Sequence, residues 1–236
     1  MRLALSLRFS VCLKSALLVC PFLSSGLSLA QNSVNHTVSA PLAKLTLRVY
    51  NYARTDPASL ASSEKVADAI LEKAGIEAVW VNCPLSQKEV RAHPSCDSEM
   101  GTADLVLRIL PRRMAAKLHH PNEPLGFAQI CSETEPACEL TVLDHEIEEL
   151  GTRGYRADRI MGHTIAHEIA HVLIGPRHSE EGIMRGEWTS TELQRISWGI
   201  SLDFAGNQST QLRNAALRRT TPPTPKDLLQ ANLIAH

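Results

Sequence analysis

The sequence lacks any cluster of basic residues, and beyond its first thirty residues it lacks an apolar run long enough to cross a bilayer. Lysine and arginine together number 24, aspartate and glutamate 25, and the formal net charge is −1. A nearly balanced charge without a basic stripe argues against nucleic acid and anionic membrane surfaces as partners. We therefore expect neither a nucleic-acid partner nor a stable membrane span.

The first thirty residues are typical of a secretory signal peptide. Arg2, Arg8 and Lys14 supply positive charge, residues 16–23 form a short apolar core, and a small-x-small cleavage site ends at Ala30. This segment holds three basic residues and no acidic one, so the mature chain carries a net charge of −4. The pattern predicts a secreted or periplasmic protein after cleavage near Ala30.

Cysteine is scarce and is absent from the last part of the chain. Four cysteines remain after the signal peptide, at positions 83, 96, 131 and 138. In an exported protein this number indicates two disulfides, and three pairings are possible. We favour the local pairing, Cys83–Cys96 with Cys131–Cys138, which closes two loops. None of the four lies beside the histidine-rich stretch, which argues against a cysteine-ligated structural zinc.

That histidine-rich stretch carries the chemistry of the sequence. His167 and His171 are four residues apart, so on a helix they share one face and can hold one metal ion. Glu168 is placed to act as general base toward a water molecule at that ion. Gly175 can end the helix, which lets the chain turn back and bring His178 to the same ion. The spacing predicts a three-histidine site for one catalytic Zn²⁺, with a fourth position open to water.

Other ligands remain possible in this stretch. His163 lies one turn before His167, but three histidines along a straight helix span about 12 Å from first to last. That span is too long for ligands that must each lie about 2 Å from one ion, so we expect His163 to orient the site or cap a neighbouring group. A carboxylate could replace His178 as the third ligand, and the candidates are Glu187 and Glu192. A carboxylate could instead be a fourth ligand that closes a structural zinc site, and the candidates are Glu180 and Glu181.

Residues 167–184 resemble the metzincin metallopeptidases, whose motif H-E-x-x-H-x-x-G-x-x-H is followed by a methionine turn. Three residues rather than two separate His171 from Gly175, a spacing similar to that of the archaemetzincins. The segment Gly182-Ile183-Met184 stands where the methionine turn would lie. The cysteine-rich pattern of archaemetzincins is missing, and no tyrosine follows Met184 to act as a further ligand.

The resemblance implies a zincin-like α+β fold, with a twisted mixed sheet packed on helices, a long active-site helix and a small C-terminal helical subdomain. It implies a secreted zinc metallopeptidase whose substrate is a peptide or protein, aligned by an edge strand at residues 127–131. Met184 would form an apolar floor beneath the metal. The alternative is a catalytically silent zinc-binding secreted protein with the same fold. We take the oligomeric state as monomeric by default.

Hydrophobic periodicity predicts strand, helix, several strands and then the long motif helix. Strands are expected at 45–49, 76–81, 103–110, 127–131 and 140–143, and helices at 58–73 and 155–174. Asp56 is the expected cap of the first helix, and Thr189 with Glu192 forms a capping box for a later one. The order of elements agrees with the zincin-like layout.

The sequence predicts three segments after the signal peptide. Residues 31–43 form a loose segment, residues 44–212 form the metallopeptidase domain, and residues 213–236 form a proline-containing tail that follows a turn near 206–210.

Residues 144–149 form an acidic run just before the motif helix. The acidic run is best interpreted as a solvated face. A calcium site or a specificity patch for basic substrates is the alternative.

Overall fold

The computed structural model describes residues 42–118 and 125–221. The predicted signal peptide, most of the predicted loose segment and the end of the predicted tail lie outside the described residues. Within these two ranges the chain forms five strands and eight helices. No helix there combines the length and the apolar character needed to cross a membrane.

The five predicted strands and the three predicted helices follow one another in the predicted order, and the described residues contain five further helices that were not predicted. The strands are β1 (Ala43–Asn51), β2 (Ile76–Asn82), β3 (Asp104–Leu110), β4 (Gly126–Ala128) and β5 (Cys138–Leu143). The helices are α1 (Pro57–Lys73), α2 (Gln87–Val90), α3 (Pro94–Asp97), α4 (Arg112–Ala115), α5 (Asp144–Thr152), α6 (Ala157–Ile174), α7 (Ser190–Trp198) and α8 (Gln208–Thr220).

The five strands form one mixed sheet in the order β2-β1-β3-β5-β4. The first four of these are mutually parallel, and β4 pairs antiparallel with β5 at the edge. Parallel neighbours need a crossover, which α1 supplies between β1 and β2. The mixed sheet packed on helices confirms the predicted fold class. The edge strand β4 is shorter than the predicted segment 127–131.

Local sequence signals set the ends of the helices. Asp56 caps α1 by accepting a hydrogen bond from the Ser59 backbone N–H at 3.0 Å, and Pro57 occupies the first turn. The predicted capping box is present at α7, where Thr189 and Glu192 each accept from the other's backbone N–H. Both caps satisfy donors that the first helical turn leaves unpaired. These predictions are confirmed.

One hydrophobic core joins the sheet to α1, α6, α7 and α8. Helix α6 packs against α1 and α8 and against strands β4 and β5, and every residue from Ile160 to Leu173 is buried. Gly162 allows the close approach of α1, because a Cβ at that position would lie 2.5 Å from the Ser63 carbonyl oxygen. A helix enclosed on all sides places its polar residues inside the protein, where each requires a partner.

One expectation from the sequence is corrected. Helix α8 continues to Thr220 with Ala215, Ala216 and Arg219 buried, so residues 213–220 belong to the folded domain and not to the tail. The acidic run forms α5, in which Glu148 and Glu149 are exposed as the solvated face predicts, whereas Asp144 is 6% exposed. Contacts with distant segments therefore bury α8 residues and Asp144 despite the local polar composition.

Both disulfides of the preferred pairing form. Cys83 bonds to Cys96 with their Cα atoms 5.7 Å apart, and Cys131 bonds to Cys138 with their Cα atoms 6.1 Å apart. The second bridge closes the loop between β4 and β5. Two disulfides in a small domain are typical of an oxidising compartment.

Candidate metal centre

Helix α6 presents the first two histidines of the motif. His167 and His171 lie one turn apart on the face toward a cleft, and each is 8% exposed. The helix ends at Ile174, and Gly175 has φ +89°, a backbone conformation that residues with a Cβ atom rarely adopt. The chain leaves the helix there and brings the exposed His178 back toward α6.

The Nε2 atoms of the three histidines converge. The Nε2 atom of His171 lies 2.9 Å from that of His167 and 3.2 Å from that of His178. Tetrahedral zinc with ligands at about 2.0–2.1 Å places neighbouring nitrogens roughly 3.3 Å apart. The three side chains therefore form a group that can hold one metal ion.

Hydrogen bonds at the Nδ1 atoms of His167 and His171 fix the tautomer of each ring. Nδ1 of His167 lies 2.7 Å from the carbonyl oxygen of Ile183, and Nδ1 of His171 lies 2.9 Å from that of Gly175. Because a carbonyl only accepts, each Nδ1 carries the proton and each Nε2 presents a lone pair. Lone pairs that face one another repel, so this arrangement fits a cation between them.

Burial keeps these imidazoles neutral. Desolvation, together with the neighbouring His171 and His178, lowers the pKa of His167 to about 4, against the hydrogen bond to Ile183, which raises it. Desolvation likewise lowers the pKa of His171. Neutral imidazole is the form that ligates a metal, so the donor set fits a zinc ion at neutral pH.

Glu168 is 4% exposed and lies in the same cleft. Its Oε2 atom is buried and has no hydrogen-bond partner among the described residues. Desolvation raises the pKa of the carboxyl to about 8. A buried carboxyl group without a partner is costly, and such groups are characteristic of functional sites.

The cleft beside the histidines has a volume of about 820 Å³. Residues of edge strand β4 and residues 185–188 contribute to its lining. The lining also includes the four motif side chains and apolar side chains, among them Leu125, Leu150 and Leu193. The histidines and Glu168 are therefore open to one and the same cleft.

The alternative ligands are not assembled at this point. Within the described residues the group that can hold a metal contains three histidines and no carboxylate. Glu192 is engaged in its capping box and lies 3.6 Å from Arg185, and Glu187 lines the cleft. No carboxylate from Glu180 or Glu181 joins the group.

His163 is buried behind the site and has two backbone partners. Its Nδ1 atom lies 2.8 Å from the Arg159 carbonyl oxygen, and its Nε2 atom accepts from the Leu202 backbone N–H at 3.2 Å. Desolvation lowers its pKa to about 4. The expectation that His163 caps a neighbouring group is confirmed, because it joins α6 to the segment after α7.

A turn that ends at Met184 follows the third histidine, where the sequence predicts the methionine turn. Gly182 has φ +72°, and the Ser179 N–H donates to the Met184 carbonyl oxygen at 2.8 Å. Met184 is fully buried. Its role as an apolar floor beneath the metal stays a prediction.

Three further residues shape the site but were not identified from the sequence, namely Gly126, Gly186 and Trp188. A Cβ on Gly126 of β4 would lie 3.0 Å from Cγ and Oε1 of Glu168, and one on Gly186 would lie 3.2 Å from Nδ1 of His178. Trp188 donates its indole N–H to the Ile183 carbonyl oxygen. No local pattern marks these positions, because each matters only through a partner from another segment.

No protein-family model matches the sequence, and no curated protein matches it significantly. Among solved structures, the chain is similar to metalloproteinase-II from Bacteroides fragilis, with 10% sequence identity and a TM-score of 0.40. The alignment covers 75% of this chain and 55% of that protein, so the chain spans about half of its length. The functional argument therefore rests on the geometry of the histidines and Glu168.

Proposed function

We propose that the chain is an exported zinc metallopeptidase in which His167, His171 and His178 hold the ion and Glu168 is the general base. One observation carries the proposal. Three imidazole Nε2 atoms converge beside a buried carboxyl group whose Oε2 atom lacks a partner among the described residues. Three histidines with an open fourth position are the donor set of catalytic rather than structural zinc sites.

A zinc ion in such a site supplies Lewis acidity, which polarises a carbonyl oxygen and makes water more acidic. Glu168 takes a proton from the attacking water and passes it to the leaving amine nitrogen. The backbone carbonyls of Ile183 and Gly175 keep His167 and His171 in the ligating tautomer. The cleft walls hold the substrate against these groups.

The environment of Glu168 suits a group that both accepts and donates a proton. Burial raises the pKa of its carboxyl to about 8 in the absence of metal. A cation beside the carboxyl favours the ionised form and lowers this pKa. A general base works best when its pKa lies near the operating pH, and these two opposing influences bring Glu168 toward that range.

The edge of the sheet supports a peptide as the substrate class. Strand β4 lies at that edge, pairs with β5, and contributes residues to the lining of the cleft. An extended peptide can add to such an edge through backbone hydrogen bonds. Apolar side chains of the lining, among them Phe127, Leu150 and Leu193, then face the substrate side chains.

The test compares Glu168→Gln and His178→Ala with the wild-type mature protein. Metal content is measured by mass spectrometry, and peptide hydrolysis is measured on a mixed peptide library. We expect one zinc per wild-type chain, and we expect Glu168→Gln to keep it while activity falls by about 10²–10⁴-fold. His178→Ala should lose most of the zinc.

Each result separates the proposal from its rivals. Wild-type protein that binds zinc but cleaves no peptide would favour the catalytically silent zinc-binding protein. Activity retained in Glu168→Gln would contradict the role of the base. Equal zinc content in His178→Ala and wild type would remove His178 as the third ligand.

A further inference from the structure

Trp188 lies outside the histidine motif, yet it contacts the metal centre through a shared acceptor. Its Nε1–H donates to the Ile183 carbonyl oxygen at 3.1 Å, and the same oxygen accepts from Nδ1 of His167 at 2.7 Å. Its ring stands edge-on to the rings of His167 and His163, with the centroids 6.1 Å from each. One carbonyl thus joins the indole to the first histidine of the motif.

The peptide of Ile183 is also fixed from its other side. Its backbone N–H donates to the Asp203 carbonyl oxygen at 3.0 Å, and its side chain is fully buried. A carbonyl oxygen has two lone pairs, so it can accept from His167 and Trp188 together. With all these bonds made, the oxygen has little freedom to move.

The position of this oxygen matters because the partner of Nδ1 determines where Nε2 points. Groups that hold a ligating histidine set its ring orientation and its basicity, and their loss typically lowers metal affinity. We propose that Trp188 is a positioning residue of the metal centre: its indole N–H holds the Ile183 carbonyl where that carbonyl orients the His167 ring. This inference rests on the proposed three-histidine site.

The chain offers two matched controls, since all three of its tryptophans lie among the described residues. Trp188→Phe removes the N–H donor and keeps a ring edge-on to the histidines. Trp80→Phe removes an equivalent bond, from Nε1 to Asp68 Oδ1 at 2.8 Å, on β2 and away from the cleft. Trp198→Phe changes a ring that is 70% exposed at the end of α7.

The experiment measures zinc affinity by competition with a chromogenic chelator, on metal-free mature protein of each variant. The visible absorption of Co²⁺-loaded protein reports the geometry of the ligands independently of activity. We expect Trp188→Phe to bind zinc about 10-fold more weakly than wild type and to shift the Co²⁺ bands. Trp80→Phe and Trp198→Phe should match wild type in both measurements.

A second measurement keeps the packing of the indole intact. In a protein carrying both control substitutions, Trp188 is replaced biosynthetically by a fluorotryptophan, whose N–H is more acidic. The Co²⁺ bands should shift relative to the unlabelled protein, because the bond to the shared carbonyl changes in strength.

Three results would overturn the inference, and the last of them would also overturn the proposed three-histidine site. If Trp188→Phe binds zinc as the two controls do, or if the fluorinated indole leaves the Co²⁺ bands unchanged, Trp188 only packs against the site. If the wild-type protein itself binds no zinc, the three-histidine site fails and the positioning role fails with it.

Discussion

Two regions of the molecule bury an ionisable side chain, and the hydrogen bonds around it are complete in one region and incomplete in the other. In α8, Arg219 is 2% exposed, and its guanidinium donates to the carbonyl oxygens of Thr102 at 3.0 Å, Ser132 at 2.8 Å and Glu135 at 3.2 Å. In α6, Glu168 is 4% exposed, and its Oε2 atom has no partner within the described part of the chain.

The difference separates a structural role from a functional one. Burial of a polar or charged group costs several kcal/mol unless hydrogen bonds replace its hydration. Arg219 meets this condition and joins α8 to the loop that the Cys131–Cys138 bridge closes. Glu168 meets this condition less completely, because its Oε2 atom has no hydrogen-bond partner among the described residues. An unpaired acceptor in the cleft suits the general base that we propose.

Replacement of the satisfied charge should have the largest effect on stability. We expect Arg219→Met to lower the free energy of unfolding by about 3–9 kcal/mol, because three carbonyls lose a donor at about 1–3 kcal/mol each. Urea denaturation of metal-free protein measures it. Arg218→Met is the control, since Arg218 makes an exposed ion pair with Glu133 that is worth about 0–1 kcal/mol. Equal losses in the two variants would contradict a special role for Arg219.

The same comparison predicts the opposite result for Glu168→Gln. Its free energy of unfolding should equal or exceed that of the wild type, because the variant removes an unsatisfied ionisable group. The same urea series measures this difference. A loss as large as that of Arg219→Met would mean that the carboxyl has a structural partner.

His163 adds a third buried ionisable group to the comparison. It lies in α6 close to Glu168 in sequence, yet both of its ring nitrogens are hydrogen-bonded. Desolvation lowers its pKa from 6.5 to about 4 in the folded protein. Between these values the unfolded chain binds more protons, so the contribution of His163 to stability is complete above pH 6.5 and is lost as the pH falls toward 4. This pKa difference corresponds to about 3 kcal/mol.

We therefore expect His163→Gln to show a weaker dependence of stability on pH. The slope of the unfolding free energy should fall by up to about 1.4 kcal/mol per pH unit within that window. Urea denaturation between pH 4 and pH 7, with metal removed from both proteins, measures the difference. Parallel pH curves for the variant and the wild type would show that His163 does not titrate in this range.

Gly126→Ala tests how closely the unsatisfied carboxyl must be placed. The added Cβ would lie 2.8 Å from the Thr141 carbonyl oxygen and 3.0 Å from Oε1 of Glu168, so the strand or the carboxyl must move. A displacement near 1 Å at a reacting group costs about 100-fold in rate. We expect kcat/KM on a peptide to fall by about that factor while zinc affinity stays unchanged.

Gly101→Ala is the control for that substitution, since its Cβ would meet Asp104 at an ordinary 3.7 Å. If Gly126→Ala retains full activity, Glu168 tolerates the shift and the close contact has no functional meaning. If it loses zinc as well, the histidines and the carboxyl are coupled more tightly than we propose.

Gly186→Ala should give the smallest effect, and on binding rather than on rate. Its Cβ would lie 3.2 Å from Nδ1 of His178, a contact that a shift of a few tenths of an ångström relieves. We expect zinc affinity to fall by about 10-fold, in the lower part of the range for changes beside a ligand. Chelator competition measures it, and unchanged affinity would show that the exposed His178 adapts without loss.

Much of the site could be predicted because its signals are local. The four-residue spacing of His167 and His171 places both on one helical face whatever the rest of the chain does. Gly175 ends the helix because it can adopt a positive φ, and Asp56 and Thr189 each cap a helix through a donor three residues away. Such interactions depend on neighbours in sequence, so a sequence displays them directly.

By itself, the sequence indicated the order of the strands and of the three predicted helices, favoured one of three possible disulfide pairings and marked the candidate ligands. The tertiary structure alone decided that Gly126 abuts Glu168, that Trp188 shares a carbonyl with His167, and that Arg219 is buried rather than part of a tail. The physical reason is the distance along the chain over which each kind of interaction acts. Helical spacing and caps act over a few residues, whereas burial and shared acceptors arise only where distant segments pack together.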